Sequence, residues 1–363
     1  MVFLLVSGIT LGLLFKKNRW VTFYLFIVLW ITCGWSMGHA DYYSYTALFE
    51  ESKNFSWSLM EQPLFYGLMY ILNYVGFTIQ SVFIILGGLS AILLIKSSMD
   101  YTVYPNYVCT LFIIAVFFLY ITQIRNYIAM AILIYAIRYL LPANRNIKKY
   151  IISMLIAAGF HISMLFYLLL IPLSFLSRKK TIMVTGIFTV ALFVFQRFAY
   201  HILSAIGMSS YLVYLETEYE TTTVLIYDVY IVAGIIGTMA VDWLIRKYRT
   251  TNITVSRDII DMTSLIWKIN MFMLVVIPLQ SITIESVRIY RNILPLNFVI
   301  FSYLILKRNW KRRKLRYGKV EWLGRLMQVG IVSYAIIYSN LYIYRQCYET
   351  LVIPILENNL LLR

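Results

Sequence analysis

The sequence predicts an all-α, polytopic integral membrane protein, and three observations support this fold class. Hydrophobic residues make up 61% of the 363 positions and charged residues only 13%. A soluble domain of this size carries roughly a quarter charged residues, so the composition is not that of a soluble fold. The apolar residues are gathered into long runs, and the basic residues cluster between them. We therefore predict a single transmembrane domain over residues 1–363, without a soluble domain.

Ten apolar segments reach or approach the ~20 residues that a helix needs to cross the hydrocarbon. They are residues 2–15, 20–37, 78–95, 105–122, 127–141, 182–203, 224–245, 262–284, 292–306 and 322–344. The first segment is followed, not preceded, by positive charges, and no small-residue cleavage site comes after it. These features favour a first membrane helix over a signal peptide. The sequence thus predicts about ten transmembrane helices.

The distribution of basic residues predicts the orientation of these helices. The formal net charge is +16, yet the Lys and Arg residues lie in short clusters between the apolar runs, the densest at residues 307–319. This is the positive-inside pattern, with anionic lipid headgroups as the counter-charge, and it argues against nucleic-acid binding. Alternation then predicts the regions of Lys16, Lys96, Lys148, Arg246 and Lys307 in the cytoplasm. Segments 38–62, 207–223 and 285–291 are predicted outside.

Two further apolar segments do not fit a simple crossing. Residues 150–176 are long enough for one crossing, but basic residues flank both ends, so the positive-inside rule requires an even number of crossings. We predict a re-entrant hairpin broken near Gly159 and ending at Pro172, with a single tilted helix as the alternative. Residues 63–75 are too short to cross after an outer loop, and their apolar spacing predicts an amphipathic helix at the outer interface.

The first candidate site lies in the predicted outer segment. Asp41 follows a crossing helix and precedes a run of tyrosines that includes Tyr42 and Tyr45, and Glu61 comes at the end of the segment. Tyrosines stack on sugar rings and hydrogen-bond to hydroxyl groups, and a carboxylate beside them is suited to act as the general base for a sugar hydroxyl. The alternative is that Asp41 caps the next turn and the tyrosines form an interfacial aromatic belt.

Arg125 is the most informative single residue, because it lies within the long apolar run 111–141, next to Gln123 and Asn126. Lipid offers a guanidinium group no partner, so an arginine at this depth is expected to face a wet cavity lined by protein. Its planar fork is suited to a bidentate contact with a phosphate. The alternative is an arginine whose side chain extends from a helix end to the lipid headgroups.

Two more polar groups are candidates for chemistry. His161 sits at the predicted break of the hairpin, where it could take a proton or orient a phosphate, although a membrane histidine is as often a packing group. Arg288 and Arg291 lie three residues apart in a predicted outer turn, so in a helix they share one face. Positive charge outside runs against the positive-inside bias, which favours anion binding by this pair.

Metal and cofactor motifs are not predicted. Cys33, Cys109 and Cys347 are scattered, with no metal or redox spacing. No Walker, GxGxxG, HExxH or Cys/His metal pattern appears in the sequence, so nucleotide-driven transport and zinc chemistry have no support. We predict no cofactor and no metal site.

These constellations, in this order, resemble the EpsG family of exopolysaccharide polymerases, which are similar in role to the Wzy O-antigen and capsule polymerases. The resemblance rests on short motifs spread over most of the chain, namely Asp41 with Tyr42 and Tyr45, Glu61, Arg125-Asn126 with the following Ile- and Ala-rich helix, Phe160-His161 with Ser163, and Arg288 with Tyr290 and Arg291. Asn126 departs from the pattern, which often has Gln after the Arg; the amide is kept but its reach is shorter.

The resemblance implies a membrane enzyme that joins undecaprenyl-diphosphate-linked oligosaccharides at the outer face of the bacterial cytoplasmic membrane, by inverting glycosyl transfer. Asp41 or His161 would take the proton of the attacking hydroxyl. Arg125, Arg288 and Arg291 would stabilise the departing diphosphate, and Tyr42, Tyr45, Glu61 and Asn126 would contact substrate. Membrane lipids, a flippase and a chain-length regulator are the other expected partners.

Two other classes are considered. A flippase or transporter of lipid-linked oligosaccharides would also use cations in a cavity, but such proteins usually show two similar halves, and this chain shows none. A membrane O-acetyltransferase would need a similar number of helices and a histidine, but the early Arg and His pair of that family is missing here.

Overall fold

The computed structural model describes residues 1–54, 62–205, 221–250, 256–280, 283–305, 318–338 and 348–362. These residues form helices and turns, with no strand among them and one isolated antiparallel bridge between Ser36 and Asn359. The all-α prediction is therefore confirmed for the described part of the chain.

The chain divides into two compact units. Unit 1 comprises Met1–Leu168 together with Phe301–Arg363, and unit 2 comprises Leu169–Ile300. Each unit is described below by itself, and the single membrane domain over residues 1–363 stays a prediction.

The helices follow the predicted apolar segments along the chain. In chain order they are α1 (Val2–Leu14), α2 (Arg19–Gly34), α3 (Tyr42–Glu51), α4 (Pro63–Tyr74), α5 (Ile79–Tyr101), α6 (Pro105–Ala115), α7 (Phe117–Thr122), α8 (Ile124–Ala136), α9 (Ile147–Phe160), α10 (Leu170–Phe175), α11 (Arg178–Ala205), α12 (Thr221–Thr250), α13 (Arg257–Phe272), α14 (Val276–Gln280), α15 (Val287–Arg291), α16 (Leu294–Ser302), α17 (Gly318–Tyr338) and α18 (Ile353–Glu357).

Within the described residues, four helices are long and apolar enough to span a membrane. They are Ile79–Tyr101, Arg178–Gln196, Val224–Lys247 and Arg257–Gln280. Shorter apolar helices accompany them, at Val2–Leu14, Arg19–Gly34, Pro105–Ala115 and Ile162–Phe175. Together they support a multi-pass membrane protein, while about ten crossings stays a prediction.

Two predicted crossings are less regular than the hydropathy indicates. The segment 105–122 is divided into α6 and α7 at Val116, whose φ of −141° and ψ of −6° depart from helical values. The segment 292–306 contains the nine-residue helix α16. Nine residues rise only about 14 Å, so α16 is shorter than the hydrocarbon core is thick.

The hairpin predicted at residues 150–176 is present as a reversal of the chain. Helix α9 ends at Phe160, His161 is extended with φ −152° and ψ 111°, and a 3₁₀ helix follows over Ile162–Leu169. The Tyr150 hydroxyl donates to the Tyr167 carbonyl at 2.8 Å. Seventeen residues of continuous helix would separate these residues by about 25 Å, so a single straight helix is incompatible with this contact.

The ends of this hairpin differ in detail from the prediction. The break falls at His161, two residues after Gly159, which is still helical. Gly159 permits a close approach to α4, since a Cβ there would lie 2.6 Å from Leu64 Cγ. Pro172 does not end the segment, since α10 contains it and continues to Phe175. Proline is tolerated there because it lies in the first helical turn, where its missing N–H has no partner to lose.

Helix α4 is amphipathic and matches the predicted segment 63–75. Pro63 occupies its first turn, and Phe65, Met69 and Leu72 form its buried face. These positions follow the i, i+4, i+7 spacing of one helix face. Leu64, in the first turn of the same helix, is 42% exposed. Its position at the outer membrane interface stays a prediction.

Contacts within unit 1 group the segments that the charge pattern assigns to the same side. At one end, the Asn106 amide donates to the carbonyls of Phe15 at 2.6 Å and Asn18 at 2.9 Å, and all three residues lie at or beside the predicted cytoplasmic ends of crossing segments. At the other end of α2 and α5, the Gln80 amide donates to the Gly34 carbonyl. The two predicted sides thus correspond to opposite ends of the antiparallel pair α2 and α5.

This grouping predicts which exposed positions react from outside the cell. Ser44 lies on α3 and Asn144 lies in the turn before α9, and both side chains are exposed. We expect Ser44→Cys to react with an impermeant thiol reagent in intact cells and Asn144→Cys to react only after the membrane is permeabilised. Equal labelling of both variants in intact cells would contradict the arrangement.

Unit 2 contains a buried ion pair between its helices. The Arg178 guanidinium donates two hydrogen bonds of 2.7 Å to the two carboxylate oxygens of Asp242, whose side chain is 3% exposed. Arg246, one turn along α12, donates to the same carboxylate at 3.1 Å. Arg178 also lies over the Trp267 ring of α13, 4.4 Å from its centroid. The pair therefore ties the start of α11 to α12 and α13.

We predict that Asp242→Asn lowers the stability of the protein by on the order of 3 kcal/mol, because two guanidinium groups lose their shared charge partner. The control is Asp261→Asn, since Asp261 lies 3.9 Å from an Arg257 that is 89% exposed. Removing such an exposed pair changes stability by less than about 1 kcal/mol. Thermal unfolding of the purified proteins in detergent measures both effects, and equal midpoints for the two variants would contradict the prediction.

Candidate functional site

Asp41 lies at the start of α3, at the predicted outer end of unit 1. It occupies the N-cap position with φ −86° and ψ −8°, and its carbonyl accepts a 3.0 Å hydrogen bond from the Tyr45 N–H. Its side chain makes no capping hydrogen bond, in contrast to Asn18 and Asn146, which cap α2 and α9 through their side chains. The capping role considered as the alternative is therefore not found.

The tyrosines after Asp41 form part of an aromatic cluster with residues from α4 and α5. The ring centroids of Tyr42 and Phe83 lie 5.8 Å apart in a stacked arrangement, and those of Tyr45 and Phe83 lie 5.8 Å apart edge to face. Tyr45 also meets Phe65 of α4 at 5.7 Å. Tyr45 is 3% exposed, whereas Tyr42 is only half-buried. The inner tyrosine is thus fixed by packing, and the outer one is accessible to a ligand.

Arg125 joins this cluster from α8. A turn at Gln123, with φ −100° and ψ 58°, separates α7 from α8 and places Arg125 in the first turn of α8. This helix begins at Ile124, three residues before the predicted segment 127–141. Its Nη1 donates to the Gln62 side-chain oxygen at 3.1 Å, and its Nε donates to the Tyr45 hydroxyl at 3.4 Å. The guanidinium lies 5.3 Å from the Tyr45 ring centroid and 5.5 Å from that of Phe65.

This environment leaves the charge of Arg125 without a carboxylate partner in the described part of the chain. Its two hydrogen bonds go to neutral acceptors, and a guanidinium group has five N–H donors. The side chain is half-buried between two aromatic rings. A guanidinium in this setting has donors to offer an anion, and anion binding by Arg125 stays a prediction beside the alternative of a side chain extended to the headgroups.

Asn126 is oriented differently from Arg125. Its side chain is 1% exposed, so it packs among the helices while Arg125 remains accessible. Consecutive residues of an α-helix point about 100° apart, which accounts for the difference. Burial favours a role for Asn126 in fixing α8, and its predicted contact with substrate stays a prediction.

His161 lies at the tip of the hairpin, near the start of α4. Its Nδ1 and the Ser163 hydroxyl are 2.8 Å apart, so the Phe-His-x-Ser motif forms a local pair. Gly159, in the last turn of α9, packs against Leu64 of α4. Gln62, which contacts Arg125, precedes α4 directly. The hairpin tip and Arg125 therefore approach the same short stretch of chain.

Glu61, the remaining predicted residue of this group, lies outside the described residues. Gln62 and Phe65 were not predicted as site residues, and the structure adds both through their contacts with Arg125. The available sequence signal was the position of Gln62 immediately after Glu61 and before a proline that starts a helix.

His39 is a further residue that the sequence did not single out. It is fully buried, its ring lies 5.7 Å from that of Tyr42 and 5.5 Å from that of Phe83, and neither ring nitrogen has a hydrogen-bond partner among the described residues. Burial lowers the pKa of His39 to about 4, so the ring is neutral at neutral pH. The unfolded chain binds this proton near pH 6.5, so His39 disfavours the folded state as the pH falls from there towards 4.

Arg288 and Arg291 lie in unit 2, and the structure corrects their predicted description as a positive pair near the surface. Both are in the helix α15, but Arg288 forms an ion pair with Glu285, whose carboxylate is one turn away, and Arg291 is 1% exposed. A 3₁₀ turn at Ile284–Ser286 brings Glu285 beside Arg288, which offsets its charge. Anion binding by these two arginines stays a prediction.

Within the described ranges, no group of three or more His, Cys, Asp or Glu side chains is placed to hold a metal ion. Cys33 and Cys109 are buried free thiols. The groups gathered at the predicted outer end of unit 1 are thus a carboxylate, phenols, an imidazole and a guanidinium.

Comparison with known proteins gives one match. The model of the EpsG family matches residues 18–352, which is nearly the whole chain and includes every motif on which the resemblance rests. No curated protein and no solved structure matches the chain.

Proposed function

Because this chain belongs to the EpsG family, an exopolysaccharide polymerase-like family of membrane proteins, we propose that it joins lipid-linked oligosaccharide repeat units into a polysaccharide. The donor is an oligosaccharide chain on undecaprenyl diphosphate, and the acceptor is a second lipid-linked repeat. The reaction takes place at the outer face of the bacterial cytoplasmic membrane, with membrane lipids around the protein. A flippase that supplies the repeats and a chain-length regulator are the proposed protein partners.

The observation that carries this proposal is the environment of Arg125. Its guanidinium group is half-buried and contacts Tyr45, Phe65 and Gln62. Among the described residues, its hydrogen-bond acceptors are neutral, so the group is suited to an anionic ligand. In glycosyl transfer from a lipid diphosphate, negative charge builds on the leaving oxygen as its bond to the anomeric carbon breaks. A fixed cation at that oxygen stabilises the transition state more than the bound donor, and so raises the rate.

Asp41 is the proposed general base. A hydroxyl of the acceptor sugar attacks the anomeric carbon of the donor, the bond from that carbon to the phosphate oxygen breaks, and undecaprenyl diphosphate leaves. The hydroxyl proton passes to the Asp41 carboxylate. Attack opposite the leaving group inverts the anomeric configuration. Tyr42, half-buried beside Asp41, offers a ring on which the acceptor sugar stacks.

The other predicted residues have supporting roles in this proposal. His161, at the hairpin tip, orients a phosphate oxygen or serves as the base in place of Asp41. Glu61 and Asn126 contact substrate or the groups that hold it. Arg288 and Arg291 are proposed to bind an anionic group of the substrate, with the charge of Arg288 partly offset by Glu285.

Polymerisation by the purified protein in detergent tests the proposal directly. Mixing it with lipid-linked repeat units should give a ladder of lipid-linked oligomers, because the reaction requires two substrates and the site but no intact bilayer. A flippase would leave the repeats unchanged in detergent and move them across the membrane of proteoliposomes. An O-acetyltransferase would require an acetyl donor and would give acetylated repeats that are not joined. Either result in place of a ladder would overturn the proposal.

A further inference from the structure

The segment 348–362 holds the turn that carries Asp41. The Ala40 N–H donates to the Thr350 carbonyl at 3.2 Å, and the Met37 N–H donates to the Asn358 carbonyl at 3.0 Å. In the opposite direction, the Leu360 N–H donates to the Trp35 carbonyl at 2.9 Å. Three hydrogen bonds thus attach the turn 35–40 to a part of the chain more than 300 residues away, and all of these residues belong to unit 1.

Asn359 is the centre of this attachment. Its side chain is 1% exposed, its amide nitrogen donates to the Ile31 carbonyl at 3.1 Å, and its amide oxygen accepts from the N–H groups of Leu361 at 3.1 Å and Leu362 at 3.2 Å. It also forms the antiparallel bridge with Ser36. One buried side chain therefore joins the last turn of α2 to the 348–362 segment and shapes that segment's own turn.

The region that matches the family ends at residue 352, whereas the contacts made by residues 358 to 360 lie beyond it. The matched region therefore includes Asp41, but it does not include Asn358, Asn359 and Leu360, which contact the turn before Asp41. On its N-terminal side, Asp41 follows the turn 35–40, which is hydrogen-bonded to the segment 348–362. On its C-terminal side, its carbonyl accepts the Tyr45 N–H of α3, so the backbone of Asp41 is fixed from both sides.

We propose that Asn359 is a positioning residue, which acts through the segment 348–362 to hold Asp41 in place for proton transfer; this inference rests on the proposed function. Asn359 contacts neither substrate nor the reacting atoms. It sets the position of a carboxylate that must lie within hydrogen-bond reach of the attacking hydroxyl. A displacement of about 1 Å is enough to cost up to a hundredfold in rate.

Asn359→Ala should therefore lower kcat about tenfold or more and leave KM for the lipid-linked repeat within about twofold, because Arg125 and Tyr45 are held by other contacts. The control is Glu357→Ala, an exposed residue of the same segment, which should leave both constants unchanged. An Asn359→Ala protein with normal kcat, or one whose loss lies in KM alone, would overturn the proposal.

A reversible disulfide between positions 36 and 359 distinguishes a positioning role of Asn359 from a role in folding alone. Ser36 and Asn359 face each other in the antiparallel bridge. The backbone hydrogen bonds from Met37 to Asn358 and from Leu360 to Trp35 lie on either side of them, so Ser36 and Asn359 are a non-hydrogen-bonded pair. The Cα atoms of such a pair lie about 4.5 Å apart, within the range that a disulfide spans. Ser36→Cys with Asn359→Cys should therefore form a disulfide, in an active background where Cys33, Cys109 and Cys347 are alanine.

In this double variant, the reduced protein lacks the Asn359 amide and should show the low kcat of Asn359→Ala. Oxidation should restore kcat to within about threefold of the background, and dithiothreitol should lower it again. Mass spectrometry of the linked peptides gives the disulfide yield independently of activity. Absence of the disulfide, or a kcat that does not respond to it, would overturn the positioning role. The proposed function is tested separately with the unaltered protein: if it makes no polymer from lipid-linked repeats although the double variant forms the disulfide, the proposed function is overturned and the attachment at Asn359 is not.

Discussion

Asp41→Asn should abolish polymer formation while leaving the binding of lipid-linked repeats largely intact. The amide keeps the shape of the carboxylate but has no basicity at neutral pH, so the attacking hydroxyl loses its proton acceptor. General-base catalysis contributes about a hundredfold to ten-thousandfold, and a loss of that size falls below detection in a gel assay. The Asp41 side chain makes no capping bond to α3, and the midpoint of thermal unfolding measures whether the variant folds normally.

The matched control for Asp41 is Glu50→Gln on the same helix. Glu50 is exposed near the end of α3, so removing its charge should leave polymer yield unchanged. Yield is measured with purified proteins at equal concentration, and binding is measured separately with a radiolabelled lipid-linked repeat. If Asp41→Asn polymerises normally while His161→Ala is inactive and folded, the role of base passes to His161.

The pH dependence of the rate distinguishes the same two residues. An ordinary carboxylate titrates near pH 4, so a reaction with Asp41 as its base should have a nearly constant rate across roughly pH 6–7. A histidine base loses its proton within that interval, so the rate would rise through it. A rate that increases steeply from pH 6 to pH 7 would therefore count against Asp41, provided that the midpoint of thermal unfolding does not change over the same interval.

Arg125→Lys should lower the polymerisation rate by about a hundredfold or more. Lysine keeps the positive charge but lacks the planar guanidinium group. The guanidinium of Arg125 contacts Gln62 and Tyr45 and has further N–H donors for a phosphate. The loss should appear in kcat, because charge on the departing diphosphate is greatest in the transition state. Initial rates with purified enzyme and lipid-linked repeats measure the effect.

The control for Arg125 is Arg19→Lys. Arg19 is exposed at the start of α2, at the end of unit 1 predicted to be cytoplasmic, so the same substitution there should leave the rate unchanged. Near-normal polymer yield from Arg125→Lys, at equal protein level, would rule out a bidentate contact by Arg125. A yield that is low in both variants would indicate a general intolerance to Arg-to-Lys changes.

Several elements could be predicted because local sequence is sufficient to specify them. A membrane segment must satisfy its backbone polar groups internally, so long apolar runs read directly as helices. Basic residues on both sides of residues 150–176 predicted a re-entrant hairpin. The contact between Tyr150 and Tyr167 shows a reversal of the chain within unit 1, while its re-entry into the membrane stays a prediction. The start of α8 followed from the polar residues around Arg125 that interrupt an apolar run.

Other features could not be predicted because they depend on residues distant in the chain. The buried position of Arg291 depends on how α15 packs, which a spacing of three residues does not reveal. The ion pair of Arg288 with Glu285 is local, by contrast, and the sequence analysis did not consider it. His39 reads as an ordinary loop histidine, and only the placement of Phe83 of α5 beside it makes it a buried aromatic partner.

The sequence by itself determined that this is an all-α membrane protein, that it belongs to the EpsG family, and which polar residues are candidates for chemistry. The tertiary structure alone decided that Arg125 lies against Tyr45 and Gln62, and that Asn359 holds the turn before Asp41. The physical reason is that hydropathy and charge act along the chain and report where each segment lies relative to the membrane. Which side chains meet at the ends of packed helices depends instead on interhelical geometry, and no local periodicity encodes it.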